Sequence, residues 1–523
     1  MLTALRHEWR MGSAEMPQSA DFYAAGLTAS GEGRHADAIA CFEHALREAP
    51  DDARVLFALG NTAAAIGHAG AAENFFRRVL SQEPGRLEAL VNLANLLRKS
   101  GRTADVIALI KPILEINPEL AELWLTLGSA LREAGDETRA EAFYREALRL
   151  SPDNAAALGN LADLLADAGD VDEALSLYQE ALAREPENPQ ARLNRAILLF
   201  LKGQLRRGWR DYEYRHRIKE RILLADHGLP MWMGRPADGM SLLITAEQGI
   251  GDQIMFASVI PALSQTCERV RGRLIVEAEP RLVTLFARSF SNVSVHPAKL
   301  HTRGGQTFAT YDWLKEQGGA DAAIAIGSLP RMTRQEITDF PVPHTYLKPD
   351  ETERAQWSAW LRQQSAGPFV GLCWRSGSLG GLRNLQYAPL ASWADFLRHA
   401  PGVAVSLQYD VQPEEIEALQ HMSGRTVLVP PNLDQKQEID RTTAMIAALD
   451  AVVSAPTSVS WMSAAVGVPT LKILYHRSWT AFGRACEPFA PAAHCIMPVK
   501  NGDWDDAFAR AASALSALLP PRP

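Results

Sequence analysis

The sequence predicts an α-helical repeat array followed by an α/β region made of two successive halves. Three observations carry this. Pro50, Pro84, Pro118, Pro152 and Pro186 are spaced by 34 residues throughout, as are Gly33, Gly67, Gly101, Gly135, Gly169 and Gly203. From about residue 240 the pattern changes to short apolar runs, bounded by turn residues and separated by helical segments. After a proline-containing joint at 340–350 that pattern starts again.

Each repeat reads as two antiparallel helices. The glycine sits in the tight turn between them, where the backbone needs freedom in φ. Ala38, Ala72, Ala140 and Ala174 keep the step of 34 and allow close helix approach. Phe42, Phe76, Tyr144, Tyr178 and Tyr212 keep it too, and are expected to fill the space between repeats. The proline ends the second helix, because it lacks a donor and crowds the preceding turn. This pattern resembles the tetratricopeptide repeat over residues 19–222, as five full repeats and a fading sixth. One repeat cannot bury its own apolar face, so neighbours must stack. Asn92, Thr126, Asn160 and Asn194 share one position of their repeats. Stacking brings such positions into register, and a ladder of amides can pair with peptide N–H and C=O groups whatever the peptide's sequence. A similar ladder grips acceptor protein in the repeat superhelix of O-linked N-acetylglucosamine transferases. The same amides are also suited to capping or solvating helices.

The totals narrow the class. A chain of 523 residues implies two to four domains. A net charge of −8 argues against a nucleic-acid partner. The charged N-terminus does not read as an export signal, and no apolar run is long enough to span a membrane. Five scattered cysteines without a C-x-x-C fit a reducing cytoplasm and no zinc site. A cytoplasmic protein without stable membrane insertion is expected.

The basic stretch 203–221 reads as a solvated face of the last helix, and the Pro- and Gly-containing segment 223–239 as a linker. Residues 240–345 and 346–523 then form the two halves. In the first, strands are expected at 241–247, 272–279 and 321–327, with helices at 254–266 and 280–290. In the second, a helix at 351–364 precedes strands in "FVGLCW", "VAVSLQ", "TVLVP", "AVVSA" and "TLKILY". Two Rossmann-like halves with a cleft between them are the layout of a GT-B glycosyltransferase, whose ligands bind beyond the carboxyl ends of the strands.

The turn after the first strand reads Gly249-Ile250-Gly251-Asp252. It lacks the third glycine of a dinucleotide fingerprint, and its carboxylate would repel a pyrophosphate. A carboxylate at a helix N-terminus facing a cleft suits proton abstraction from an acceptor hydroxyl. It also suits a plain cap of that helix. "EQGIGDQIMFASVIPAL" together with "VVSAPTSVSWMSAAVGVPTLKI" resembles the heptosyltransferase-like glycosyltransferases of family 9. Asp252 matches that family's proposed catalytic base, and Thr457, Ser458, Gly467 and Pro469 match its second motif. Pro456 and Trp461 stand where the family has Asp and His.

Several further segments are similar to the repeat-linked glycosyltransferases that modify flagellin in alphaproteobacteria: 371–390, 406–410, 433–442 and 478–483. This resemblance implies an acceptor protein, flagellin, docked by the repeats. It also implies a nonulosonic acid of pseudaminic type transferred from its CMP form. Arg375, Ser376 and Arg383 follow a strand and are expected to hold donor phosphate, with an ion pair between Arg375 and a local carboxylate as the other reading. Pro456-Thr457-Ser458 opens a helix and offers N–H groups to an anion. Gln408-Tyr409-Asp410 is expected to face base or ribose, with Asp434 and Lys436 as further donor-side candidates. Gly327–Pro330 is expected along the cleft, and Glu277 and Glu279 as solvated carboxylates, with contact of one of them to the acceptor as the alternative. No D-x-D suits a metal-bound sugar nucleotide, so neither metal nor cofactor is expected. Two alternatives stay open: a lipopolysaccharide-directed relative of the heptosyltransferases, and a non-catalytic scaffold with a degenerate GT-B body.

Overall fold

The computed structural model describes residues 19–218, 223–225, 227–303, 306–340, 345–377 and 386–519. The chain divides into two compact units, Met1–Pro186 and Glu187–Pro523.

The first unit holds five helical pairs: Ser19–Gly31 with His35–Glu48, Ala53–Ala65 with Ala69–Gln82, Leu87–Lys99 with Thr103–Ile116, Ala121–Glu133 with Glu137–Leu150, and Ala155–Ala168 with Val171–Arg184. Gly33, Gly67, Gly101, Gly135 and Gly169 all have φ between 70° and 98°, the left-handed turn the spacing predicts. The bulky column fills the space within each pair, and Phe42 also shares a buried cluster with Val55, Ala58 and Leu59 of the next pair. Phe42 lies against Gly26, Phe76 against Gly60 and Tyr144 against Gly128. A methyl group at Gly60 would sit 2.6 Å from Phe76 Cε1. The small column 26, 60, 128 thus faces the bulky column 42, 76, 144, and the same step of 34 carries Ala94 with Ile110 and Ala162 with Tyr178, all four fully buried or nearly so. Ala38, Ala72, Ala140 and Ala174 are fully buried, as the close-approach argument requires.

The second unit begins with a further pair at the same step, Pro189–Leu201 and Leu205–Tyr212. Its apolar side does not face solvent. Phe200 stacks on Trp479, with centroids 5.3 Å apart, and meets Phe482 edge-on. Trp209 packs on Phe256 and Phe489 and donates from Nε1 to the Arg334 carbonyl at 2.8 Å.

Thirteen short strands are described: β1 (Leu223–Ala225), β2 (Ser241–Thr245), β3 (Arg273–Ala278), β4 (Val293–Pro297), β5 (Leu300–Arg303), β6 (Gln306–Ala309), β7 (Ala322–Ala325), β8 (Phe369–Cys373), β9 (Val403–Ser406), β10 (Val427–Leu428), β11 (Ala451–Ser454), β12 (Thr470–Ile473) and β13 (Ala493–Ile496). The first parallel sheet runs β4-β3-β2-β7 and the second β10-β9-β8-β11-β12-β13. The second order is the doubly wound 3-2-1-4-5-6, and the first is its 3-2-1-4 part. Strands β1, β5 and β6 make a small mixed sheet.

Side chains alternate between the faces of each strand. Leu242 and Ile244 join a core shared with Phe256, Trp209 and Met462, whereas Leu243 joins Tyr311 and Trp313 on the opposite face. Val370 and Leu372 pack under helices Leu390–His399 and Trp504–Leu518. The helix expected at 254–266 is two helices, Ile250–Ala257 and Ile260–Arg269, because Pro261 cannot continue the hydrogen-bond ladder and opens the second one. Glu277 is not solvated: it is 1% exposed. No helix among the described residues is long and apolar enough to cross a membrane.

Candidate functional site

In doubly wound sheets ligands gather where the strand order reverses, beyond the carboxyl ends of the two strands that flank the reversal. Those strands are β2 and β7 in the first sheet and β8 and β11 in the second.

After β2 the chain turns through Glu247, Gln248 and Gly249 into helix Ile250–Ala257. Gln248 is left-handed at φ 61°, a conformation that costs a non-glycine residue about 1 kcal/mol. Its Nε2 donates to the Tyr212 hydroxyl at 3.0 Å. Glu247 Oε1 accepts from Arg215 Nη2 at 2.6 Å and from the Gly327 N–H at 2.7 Å. Arg215 also donates to Ser328 Oγ at 2.8 Å and lies over the Tyr212 ring. The network therefore ties the end of β2 to the end of β7. The reading of the basic stretch as solvated holds at Arg206, Arg207, Arg210, His216 and Arg217, which are exposed, and fails at Arg215, whose side chain is only 4% exposed; residues 219–221 lie outside the described residues.

Asp252 stands in the first turn of its helix, and its Oδ2 accepts from the Gly249 N–H at 3.3 Å. Desolvation raises its carboxyl above the ordinary range, and the charge of Glu247 adds to this. The Gly249 bond and the charge of Lys472 pull the other way. Gly251 is pressed against the second sheet's helix: a methyl group there would lie 3.4 Å from both Ser458 Cα and Trp461 Cδ1. Helices Ile250–Ala257 and Ser458–Ala465 pack together.

Helix Ser458–Ala465 starts directly after β11, so Pro456, Thr457 and Ser458 stand at the second sheet's reversal. Thr457 Oγ1 lies 3.5 Å from Cys373 Sγ at the end of β8. Burial pushes that thiol's pKa up to about 11. Asp252, Gly249, Gly251, Pro456, Thr457 and Ser458 therefore form one group. Behind it Lys472 Nζ sits 4.4 Å from the Trp461 ring centre and 2.7 Å from Glu487 Oε1; both charged side chains are almost fully buried.

Arg375, Ser376, Gln408, Tyr409 and Asp410 form a second group at the ends of β8 and β9. Gln408, 1% exposed, is a rivet: its Oε1 accepts from the Trp374 and Arg375 N–H groups, and its Nε2 donates to the Arg375 and Tyr409 carbonyls, all at 2.9 Å. Arg375 is held by Glu415, with Nε to Oε1 at 2.8 Å, and by the Asp410 carbonyl at 3.0 Å. The Tyr409 hydroxyl reaches Ser376 Oγ at 3.5 Å. Asp410, left-handed at φ 54°, pairs with Lys436 at 2.7 Å. The two groups touch through Cys373, yet the Arg375 guanidinium is turned to Glu415, and the cation acting on Asp252 is Lys472. Arg383 lies outside the described residues. Glu279 caps the turn Pro280–Leu282 by accepting from the Arg281 N–H.

In the array, Asn92 donates to Asn61 at 2.7 Å and Asn160 to Ser129 Oγ at 3.2 Å. Thr126 is buried and donates to the carbonyl of Glu122 in its own helix. Asn194, in the second unit, accepts from Gln190 at 2.6 Å. Asn92 and Asn160 are therefore braced by two members of a second polar column that the reading missed, Asn61 and Ser129, which share the step of 34 with Asn95 and Asp163. The reading also missed Glu247, Lys472 and Glu487. Among the described residues no three His, Cys, Asp or Glu side chains gather as metal ligands would.

Residues 22–52 and 52–187 match models of the tetratricopeptide repeat. The helical array is a tetratricopeptide repeat solenoid. Protein FlbA of Caulobacter vibrioides is 32% identical over 321 residues, 61% of this chain and 53% of that protein. The chain thus spans about half the length of this curated relative. Among solved structures, a thermophilic tetratricopeptide repeat protein of Thermus thermophilus is 26% identical, with 35% of this chain and 98% of that one covered and a TM-score of 0.31. The type IV pilus biogenesis factor PilW is 20% identical, with 39% and 92% covered and a TM-score of 0.33.

Proposed function

We propose that the protein is a glycosyltransferase that docks an acceptor protein on its repeat array and glycosylates it from a nucleotide-activated donor. A GT-B arrangement of the two doubly wound sheets is part of this reading. One observation carries it: the turn bearing Asp252 lies at the strand-order reversal of one sheet and packs on the N-terminus of the helix at the reversal of the other. Two nucleotide-type crevices then open onto one carboxylate.

In the reaction Asp252 takes the proton from an acceptor hydroxyl while its oxygen attacks the anomeric carbon. The bond from that carbon to the donor phosphate breaks, and the nucleotide leaves with the electron pair. The N-terminus of helix Ser458–Ala465 meets the charge that develops on phosphate. No metal is assigned a part in this reading. The sequence resemblance proposes flagellin as acceptor and a CMP-linked nonulosonic acid of pseudaminic type as donor. Cytoplasmic action is part of the same proposal.

The test is intact-mass measurement of flagellin incubated with the protein and the CMP-sugar. An added mass of one sugar is expected, and its loss with Asp252→Asn. Transfer at the normal rate by that variant removes the base assignment.

Two observations favour a second reading, a scaffold without catalysis. Arg375 is already neutralised by Glu415, and Trp461 covers Lys472. Calorimetry with CMP separates the two: a scaffold of this kind binds none.

A further inference from the structure

Between helices Pro189–Leu201 and Leu205–Tyr212 lies a hollow of about 90 Å³, lined by Arg192, Arg195, Arg207, Arg210 and Asp211. Asp211 forms its floor. It is 2% exposed and accepts from Arg192 Nη1 at 2.9 Å and from Arg195 Nε at 2.7 Å. These two bonds fix two guanidiniums in place. Arg207 and Arg210 stand on the rim, one helical turn apart and exposed. Arg207 donates only to the neutral Gln204 side chain, and among the described residues neither rim arginine has an acidic partner.

We infer that this hollow is a docking site for an acidic side chain of a polypeptide. Guanidinium forks match carboxylates in geometry and bind them in pairs. The hollow admits a carboxylate group and lies well below the ~300 Å³ at which pockets begin to enclose small-molecule ligands. The ring a nucleobase would need is taken: Arg192 and Arg217 lie on Tyr214 at 4.4 and 4.6 Å. A long polyanion finds no continuous track either. Among the described residues, neighbouring cations are already matched, Arg217 by Glu187, Arg206 by Glu336 and Arg331 by Glu213. Among the neighbouring described residues the unmatched positive charge is concentrated at this hollow, and a single spot selects single acidic residues rather than nucleic acid or a membrane surface. The inference names a chemical feature of the acceptor in the reading above, and its test measures binding without sugar transfer, so the two fail separately.

The experiment is fluorescence anisotropy of the full chain with a labelled Gly-Ser peptide carrying adjacent Asp and Glu, against the same peptide with Asn and Gln. The acidic peptide is expected to bind, more weakly as salt rises, and the amide peptide not to bind. Arg207→Gln with Arg210→Gln should weaken binding about tenfold, with Arg207→Lys and Arg210→Lys in between. Both positions are exposed, so unchanged thermal unfolding is the folding control. Equal affinity of the wild-type and glutamine variants overturns the inference. So does equal binding of the two peptides, or displacement of the acidic peptide by inorganic phosphate below about 1 mM.

Discussion

Removing the Lys472 ammonium by Lys472→Met tests the buried pair behind Asp252. Glu487 has no solvent exposure, and Lys472 supplies its ionic partner at 2.7 Å. Its remaining support on Oε1 is Ser478 Oγ at 3.1 Å and the weak Cys495 thiol, and among the described residues Oε2 has no hydrogen-bond partner. Breaking a buried pair from one side strands a charge and costs about 3–5 kcal/mol. For a unit of roughly 330 residues the unfolding entropy is about 0.7 kcal/mol per degree at the midpoint, so the midpoint should fall by about 4–7 °C. Differential scanning calorimetry of the whole chain reads this on the transition of the second unit. Replacing both partners, Lys472→Met with Glu487→Leu, should recover more than half of the loss, because an apolar pair leaves nothing stranded. If the single variant unfolds within about 1 °C of the parent, the pair is not buried as an ionic pair and the reasoning fails.

Under the proposed function, Asp252 must be ionised to accept a proton, so transfer should fall on the acid side, with a midpoint above the ordinary aspartate value of 3.8. A kcat/KM profile against pH with its acid limb at or below 3.8 refutes this. Glu277 is pushed up by burial, while its Oε2 accepts from the Ala246 N–H and the Tyr311 hydroxyl. The folded state therefore holds a proton that the unfolded chain releases above about pH 4.5, and stability conferred by that proton is lost as pH rises. Glu277→Gln should gain on the parent in urea midpoint as pH rises above about 4.5, and a difference that does not change with pH contradicts the shift. Gly60→Ala drives a methyl group into Phe76 and should cost the first unit about 1–3 kcal/mol by the same titration, against near-neutrality at exposed Gly70, where no atom lies within 4 Å.

The solenoid was legible because its geometry repeats: six glycines at a step of 34 all adopt a positive φ. The strands of both sheets were legible where they form apolar runs bounded by turns, as in Ser241–Thr245 and Ala451–Ser454. Val293–Pro297 escaped because its side chains are only partly buried, and Ala493–Ile496 because it alternates with the exposed His494. The glycine turn and helix Ser458–Ala465 stood out by motif. Their mutual packing, and the capture of Arg375 by Glu415 and of Arg215 by Glu247, involve partners 40 and 32 residues away. Local pattern carries no record of such pairings. A basic run looks the same whether its side chains meet water or buried carboxylates.

The aromatic cluster around Phe200 and Trp209 bears on how the chain can be divided. A fragment that began at residue 240, after the segment whose composition invites a cut, would leave Trp479, Phe482 and Phe489 without the rings that cover them. The hydrophobic surface so opened belongs to the α/β body, and aggregation would be the expected fate of that fragment. A boundary at Pro186/Glu187 keeps those rings together. The sixth helical pair, although it carries the spacing of the repeats, is by its packing a wall of the α/β body, and any transplant of the repeats to another chain would have to leave it behind.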